Sequence, residues 1–191
     1  YGDDKGIFGF GGEGPEYGLT NLVSNTGVVA TDTAAVGDPR RNSAATEYGG
    51  DKGVFGYGYN GSARVSTTNL VSNTGVVATD VTGVGTGKLE LAACGYGYDK
   101  GIFGYGDTGS LVSTTNLVSN VGVLSADVTG VGTAKQNLAA TQYGGDKGLF
   151  GYGDDPSSSA VTNLVSNTGV VATDTTGVGT AREVLAACSY N

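Results

Sequence analysis

The chain has 191 residues, a formal net charge of −8 and no histidine. An acidic chain without a basic stripe is a poor candidate for binding nucleic acid or an anionic membrane surface. The lack of His excludes His-dependent catalytic triads and His metal ligands, and it leaves a Cys nucleophile without an imidazole partner. No apolar run approaches the roughly 18 residues that a transmembrane helix needs. We therefore expect no catalysis, no cofactor and no insertion into a membrane.

The sequence contains four similar repeats. The triplet Asp-Lys-Gly begins at Asp4, Asp51, Asp99 and Asp146, so the period is 47 or 48 residues. The block Asn-Leu-Val-Ser-Asn begins at Asn21, Asn69, Asn116 and Asn163 with the same period. A period of this length is the mark of a repeat architecture. Because the repeats fill the chain, we predict one domain, 1–191, with units at approximately 1–47, 48–95, 96–142 and 143–191.

Each repeat is predicted to contain four short strands, and the third repeat shows them in order. Residues 101–105 are β-branched and aromatic and lie between glycines, which is typical of a strand. After a polar loop, residues 114–119 form a second predicted strand. A turn with Asn and Gly then leads to a third strand at 123–126. A Gly-rich connection precedes the last strand, residues 135–141, which contains an Ala-Ala pair.

Four antiparallel strands in about 47 residues have the size of a propeller blade. We therefore predict an all-β, four-bladed β-propeller. The Ala-Ala pair belongs to the innermost strand, because small side chains suit the crowded axis. The bulky side chains of the next strand fill the wedge between blades. Those side chains are Phe8, Phe55, Phe103 and Phe150.

The C-terminal segment is expected to close the ring of blades. Residues 182–190 match an innermost strand, whereas the first repeat begins at Tyr1, just before a second strand. Pairing of residues 182–190 with residues 5–10 would remove two open sheet edges. The strand could join its own chain or another copy, and both alternatives stay open. The residues expected to make this closure are Arg182, Val184, Leu185 and Ala187.

A basic residue, a small apolar strand and a Gly-bounded aromatic strand follow one another, as in residues 181–187 and 147–153. This order resembles kelch-type β-propeller repeats, and it is similar to the kelch-like arrays of phage tail-associated and unassigned environmental proteins. The resemblance covers the whole chain. It implies a binding scaffold and no chemistry.

Few side chains are candidates for a ligand site. The repeated Asp, Lys and Arg residues are expected to form structural ion pairs or turn hydrogen bonds, and the repeated Tyr residues to pack between blades. Asn60 begins the only N-glycosylation sequon, in a variable loop. Cys94 and Cys188 occupy equivalent positions on opposite blades, where we expect buried free thiols. No stretch has the spacing of a calcium or phosphate loop.

These features favour a non-enzymatic structural protein that associates with copies of itself into a filament or array. The chain begins at Tyr1 and contains no Met, which suggests processing, so an extracellular or virion-associated location is expected. The alternative is a carbohydrate-binding propeller with one weak site per blade, strengthened by repetition. In that case the partners would include glycans.

Overall fold

The computed structural model describes residues 1–34 and 36–190. Within these residues the chain forms eleven short β-strands and no helix, so none of the described elements is a helix that could span a membrane. The strands are β1 (Gly6–Gly9), β2 (Thr20–Val23), β3 (Ala44–Tyr48), β4 (Lys52–Gly56), β5 (Thr68–Val71), β6 (Ala92–Tyr96), β7 (Lys100–Gly104), β8 (Thr115–Val118), β9 (Ala139–Tyr143), β10 (Lys147–Gly151) and β11 (Thr162–Val165). The predicted all-β class is confirmed.

The strands form four antiparallel sheets, and the Ala-Ala strand at the end of each of the first three repeats joins the sheet of the next repeat. Sheet I contains β1 and β2, sheet II contains β3 to β5, sheet III contains β6 to β8, and sheet IV contains β9 to β11. In sheets II to IV the Ala-Ala strand lies on one edge and the Phe strand in the middle. The register also repeats, since Ala93 lies opposite Phe103 as Ala140 lies opposite Phe150. The predicted order of these two strands is therefore confirmed for sheets II to IV.

The prediction of four strands in each unit is wrong. In each repeat the segment after the turn with Asn and Gly, predicted as the third strand, forms only isolated β-bridges, such as the one between Val71 and Val77. Asn69 supplies the physical reason, because its side-chain amide donates to the carbonyl of Ala78 and to the carboxylate of Asp80. Side-chain hydrogen bonds of this kind compete with a regular ladder. The segment therefore runs beside the sheet without becoming a strand.

The hydrophobic core lies between successive sheets. β3 packs against β6 and β7, and β6 packs against β9 and β10. Phe103 and Phe150 are fully buried there, and Phe55 is nearly so, as the sequence predicts. Phe8 is 65% exposed, so the prediction is wrong for the first repeat. This Phe is buried wherever a preceding sheet covers it, and in the described part of the chain no sheet covers Phe8.

The Ala-Ala strands line a common central cleft. Its walls are residues 45–47, 93–95, 140–142 and 187–189. Across it the amide of Gln142 donates to the carboxylate of Glu47. A Cβ on Gly95 would collide with both of these side chains. These two side chains leave no room for a side chain at position 95, which explains the glycine there.

The predicted closing strand at residues 182–190 does not form within the described part of the chain, so the alternative of closure onto the same molecule is wrong and pairing with another copy stays a prediction. Among the described residues β1 pairs only with β2, and residues 182–190 have no regular secondary structure. The segment is bonded elsewhere: the Gly153 N–H donates to the Arg182 carbonyl at 3.0 Å, and the Val184 N–H donates to the Asn137 carbonyl at 2.9 Å. Within residues 1–34 and 36–190, no hydrogen bond joins sheet IV to sheet I. The four sheets are thus open between sheets IV and I.

Candidate functional site

Consecutive sheets meet at three junctions that are built alike. At each junction a buried basic side chain lies over an aromatic ring of the earlier sheet and bonds to an Asn of the later sheet. Between sheets II and III, Lys88 Nζ lies 5.0 Å from the centre of the Tyr57 ring and donates to Asn116 Oδ1 at 2.8 Å. The other two sets are Arg40 with Phe10 and Asn69, and Lys135 with Tyr105 and Asn163.

An aromatic pair lies beside each basic residue. The ring centres of Tyr57 and Phe103 are 5.3 Å apart, a distance at which aromatic rings attract one another. The Phe103 ring also fills the space next to a glycine of the earlier sheet, since a Cβ on Gly56 would lie 3.0 Å from it. Gly56 thus leaves the room that the Phe ring needs.

An aspartate completes the polar side of each junction. Asp127 accepts from the Asn116 amide at 2.9 Å, and from the backbone N–H and hydroxyl of Thr86 in the connection before Lys88. Burial raises the pKa of Asp127, but the hydrogen bonds from Asn116 and Thr86 outweigh that effect, so the pKa lies below its usual value. The carboxylate therefore stays charged opposite the base.

The basic side chains of the junctions are removed from water. Burial lowers the pKa of Lys88 to about 8 and that of Arg40 to about 10, and it also lowers the pKa of Lys135. The neighbouring aspartates oppose this shift. Outside the junctions, each Asp-Lys-Gly triplet forms its own ion pair, as between Lys147 and Asp146 at 2.7 Å. The prediction that the repeated charges are structural is confirmed for these groups.

Sheet IV carries half of a junction that no other sheet completes among residues 1–34 and 36–190. The Arg182 guanidinium lies 4.1 Å from the centre of the Tyr152 ring, but among the described residues it donates only to the Thr180 carbonyl. A Cβ on Gly151 would meet only Thr162, whereas the equivalent glycine of sheet II meets a Phe ring. On the same side of sheet IV, the side chains of Tyr143 and Leu164 are 39% and 41% exposed. The C-terminal face consists of Tyr143, Gly151, Tyr152, Leu164 and Arg182.

Sheet I carries the other half. Phe8 projects into solvent, and the Asn21 amide donates to Asp32 at 2.8 Å, but no basic side chain lies on this pair among the described residues. A Cβ on Gly27 would have no atom within 4 Å, whereas the equivalent glycine of sheet III touches two side chains of sheet II. The N-terminal face consists of Phe8, Asn21, Gly27 and Asp32.

The two faces are complementary because they are the two halves of one repeated contact. Arg182 is equivalent to Lys88, and Asn21 and Asp32 are equivalent to the partners of Lys88. Tyr152 is equivalent to Tyr57, which contacts a Phe ring of the next sheet. One face thus offers a cation and an open aromatic surface, and the other offers an anion, an amide and a Phe ring.

The closing residues expected from the sequence are only partly brought into these faces. Arg182 lies in the C-terminal face, whereas Val184 is 79% exposed. Leu185 is half-buried beside sheet IV, and Ala187 borders the central cleft. The sequence does not predict that Phe8, Asn21, Asp32 and Tyr152 form exposed faces, and Phe8 is instead expected between blades. Their signal is the equivalence with buried residues of other repeats, but the sequence does not say which repeat lacks a neighbouring sheet.

The other predicted sites have separate locations. Asn60 lies in a tight turn, where its side chain accepts from the N–H groups of Ser62 and Ala63, and its glycosylation stays a prediction. Cys94 is a buried free thiol as expected, but Cys188 is exposed, since none of the described sheets covers it. Several repeated tyrosines are buried between sheets and offer no surface for a sugar. They are Tyr48, Tyr57, Tyr96 and Tyr105.

Among the described residues, no group of three or more His, Cys, Asp or Glu side chains is placed to hold a metal ion. Comparison with known protein families and with curated proteins gives no match of either kind. The likeness to kelch-type repeats therefore stays a prediction from the sequence.

Proposed function

We propose that the protein is a non-enzymatic structural subunit whose copies join end to end into a filament or array. The observation that carries this proposal is the pair of end faces. Each face is half of a contact that the chain makes three times within itself. When one kind of face meets the other kind, the contact is heterologous, and such contacts propagate if they do not close.

The chemistry of the faces favours association in water. The N-terminal face exposes most of the Phe8 ring, and the C-terminal face exposes much of Tyr143 and Leu164. Clustered apolar side chains on a surface are a common sign of an interaction site. Burying a Phe side chain contributes about 1.5–3 kcal/mol. The Arg182 guanidinium of one copy would then lie near Asp32 of the next copy, as the buried basic residues of the internal junctions lie near their aspartates.

The repeated polar groups also support a structural role. Lys88 and Lys135 are used to hold neighbouring sheets together, and the repeated Asp-Lys pairs are used within turns. Sugar recognition would have to use the variable loops, because most of the repeated tyrosines are buried. We retain the prediction that such a subunit acts outside the cell or on a virion, as a propeller-like array opened between sheets IV and I.

Sedimentation velocity and negative-stain electron microscopy of the purified protein test the proposal. We expect particles far larger than the 18.9 kDa chain and extended objects in micrographs. Arg182→Ala should shift the population towards monomer. The matched control is Arg64→Ala, which removes the same charge from an exposed ion pair with Asp107 and should leave assembly unchanged. A protein that stays monomeric at high concentration would contradict the proposed function.

A further inference from the structure

Sheet I has an open edge that the other sheets fill. β1 bonds to β2 along one side, and among the described residues no strand lies along its other side. In sheets II to IV the corresponding edge of the Phe strand carries the Ala-Ala strand. An unpaired strand edge is a template for pairing with another segment.

The chain also contains an Ala-Ala segment that is positioned but unpaired. The Gly153 N–H donates to the Arg182 carbonyl as the Gly106 N–H donates to the Lys135 carbonyl, in the connection that leads to β9. The chain therefore enters both Ala-Ala segments after the same backbone hydrogen bond to a basic residue. After Lys135 the chain continues into β9, which pairs with β10. After Arg182 the chain continues into residues 186–190, which pair with no strand.

We infer, building on the proposed function, that residues 186–190 of one copy pair as a β-strand with β1 of a second copy. The register follows from sheet III, where Ala92 lies opposite Gly104, Cys94 opposite Ile102 and Tyr96 opposite Lys100. The equivalent pairs between copies are Ala186 with Gly9, Cys188 with Ile7, and Tyr190 with Lys5. The second copy thereby gains the third strand that its sheet I lacks.

Beside β1, the receiving surface has room for a side chain of this strand. A hollow of about 170 Å³ lies between β1 and sheet II, and Ile7, Thr46, Gly53 and Val71 are among the residues that line it. In sheet III the thiol of Cys94 packs close to Gly148 of the next sheet. By the same geometry Cys188 would pack against Gly53 of the second copy. The inference therefore gives the exposed thiol of Cys188 a buried place.

A second copy is the occupant because the C-terminal segment makes no hydrogen bond with β1 of its own chain among the described residues. It is bonded to sheet IV through Arg182 and Val184, and sheet IV makes no hydrogen bond with sheet I among the described residues. Arg182 directly precedes the segment, and its charge is opposite to that of Asp32. The same partner can therefore receive the basic side chain and the strand together.

Thiol labelling of the unmodified protein gives the first test. In dilute, monomeric protein Cys188 should react readily with a maleimide, whereas the buried Cys94 should react only after unfolding. In assembled material the labelling of Cys188 should slow at least ~tenfold, because strand pairing protects it. Equal reactivity of Cys188 in monomer and assembly would overturn the inference.

A disulfide trap tests the register. Ile7→Cys is combined with Cys94→Thr, a residue already present at equivalent positions as Thr46 and Thr141, so that the introduced thiol and that of Cys188 are the only two. Residues directly opposite in an antiparallel pair are close enough for a disulfide. Mild oxidation with glutathione disulfide should give a ladder of covalent oligomers on a non-reducing gel. The same variant with Cys188→Ser should give none.

The outcomes separate this inference from the proposed function. Large particles without a covalent ladder and without protection of Cys188 would mean that copies join through another contact, so the inference alone fails. A covalently closed monomer would mean that the segment pairs with its own chain, which overturns the inference and the end-to-end proposal. Absence of both assembly and disulfide would overturn both as well.

Discussion

The junction between sheets II and III and the two end faces use the same kinds of residue in different surroundings. Lys88 and Phe103 are fully buried, whereas their equivalents Arg182 and Phe8 are exposed. The side chains are similar, and the difference is the presence of a neighbouring sheet. In a repeat array, burial is thus decided by pairs of adjacent units. An exposed repeat residue therefore marks a missing neighbour.

The largest contrast should come from the two Phe positions. Phe103→Ala empties a fully buried site between sheets, and we expect it to lower the free energy of unfolding by about 3–5 kcal/mol. Phe8→Ala changes an exposed side chain, so dilute monomer should lose no more than ~0.5 kcal/mol while its assembly weakens strongly. Urea unfolding and sedimentation measure the two effects. Equal losses of stability would mean that Phe8 is covered within the folded monomer.

A smaller contrast is expected at two equivalent glycines. In Gly56→Ala the new methyl group meets the Phe103 ring, and such overpacking costs about 1–3 kcal/mol. In Gly151→Ala it meets only Thr162, so the thermal midpoint of the monomer should change little. Because the methyl group would obstruct Phe8 of a second copy, Gly151→Ala should still reduce assembly in sedimentation runs. Unimpaired assembly of Gly151→Ala would show that Phe8 does not enter this site.

The smallest contrast concerns pH. Burial lowers the pKa of Lys88 from 10.5 to about 8, so between these values the unfolded chain binds a proton that the folded chain has lost. Stability then rises with pH. Between about pH 7 and about pH 9.5, the free energy of unfolding of the unmodified protein should rise by on the order of 1–2 kcal/mol relative to that of Lys88→Met. Urea titrations at both pH values measure it.

The control for this pH effect is Arg182→Met, which should keep the pH dependence of the unmodified protein because Arg182 is exposed. If the difference in unfolding free energy between the unmodified protein and Lys88→Met stays constant across this range, Lys88 keeps its ordinary pKa in the folded state.

The strands that could be predicted are those that local sequence decides. Gly-bounded aromatic residues predict β7 at residues 101–105, and the strand is Lys100–Gly104. The strand predicted at residues 123–126 does not form, because the Asn116 amide reaches the Ser125 carbonyl and takes part in the bonding there. A single side chain thus changes the outcome of an otherwise suitable β segment.

The open end could not be predicted from local sequence. Residues 92–96 and 186–190 are nearly alike, yet the first form β6 and the second form no strand. The difference is the partner, since β6 has β7 beside it. For the same reason, Phe8 and Cys188 are predicted to be buried like their equivalents, although neither is covered in this chain.

The complementary faces have a consequence for how such a chain can change in evolution. Every added repeat would bury one pair of faces and present a new pair of the same kind. A chain that gained or lost a whole unit of 47 or 48 residues would therefore still expose one face of each type. Unequal recombination between near-identical repeats could change the number of sheets per subunit while copies of different length remained able to join one another.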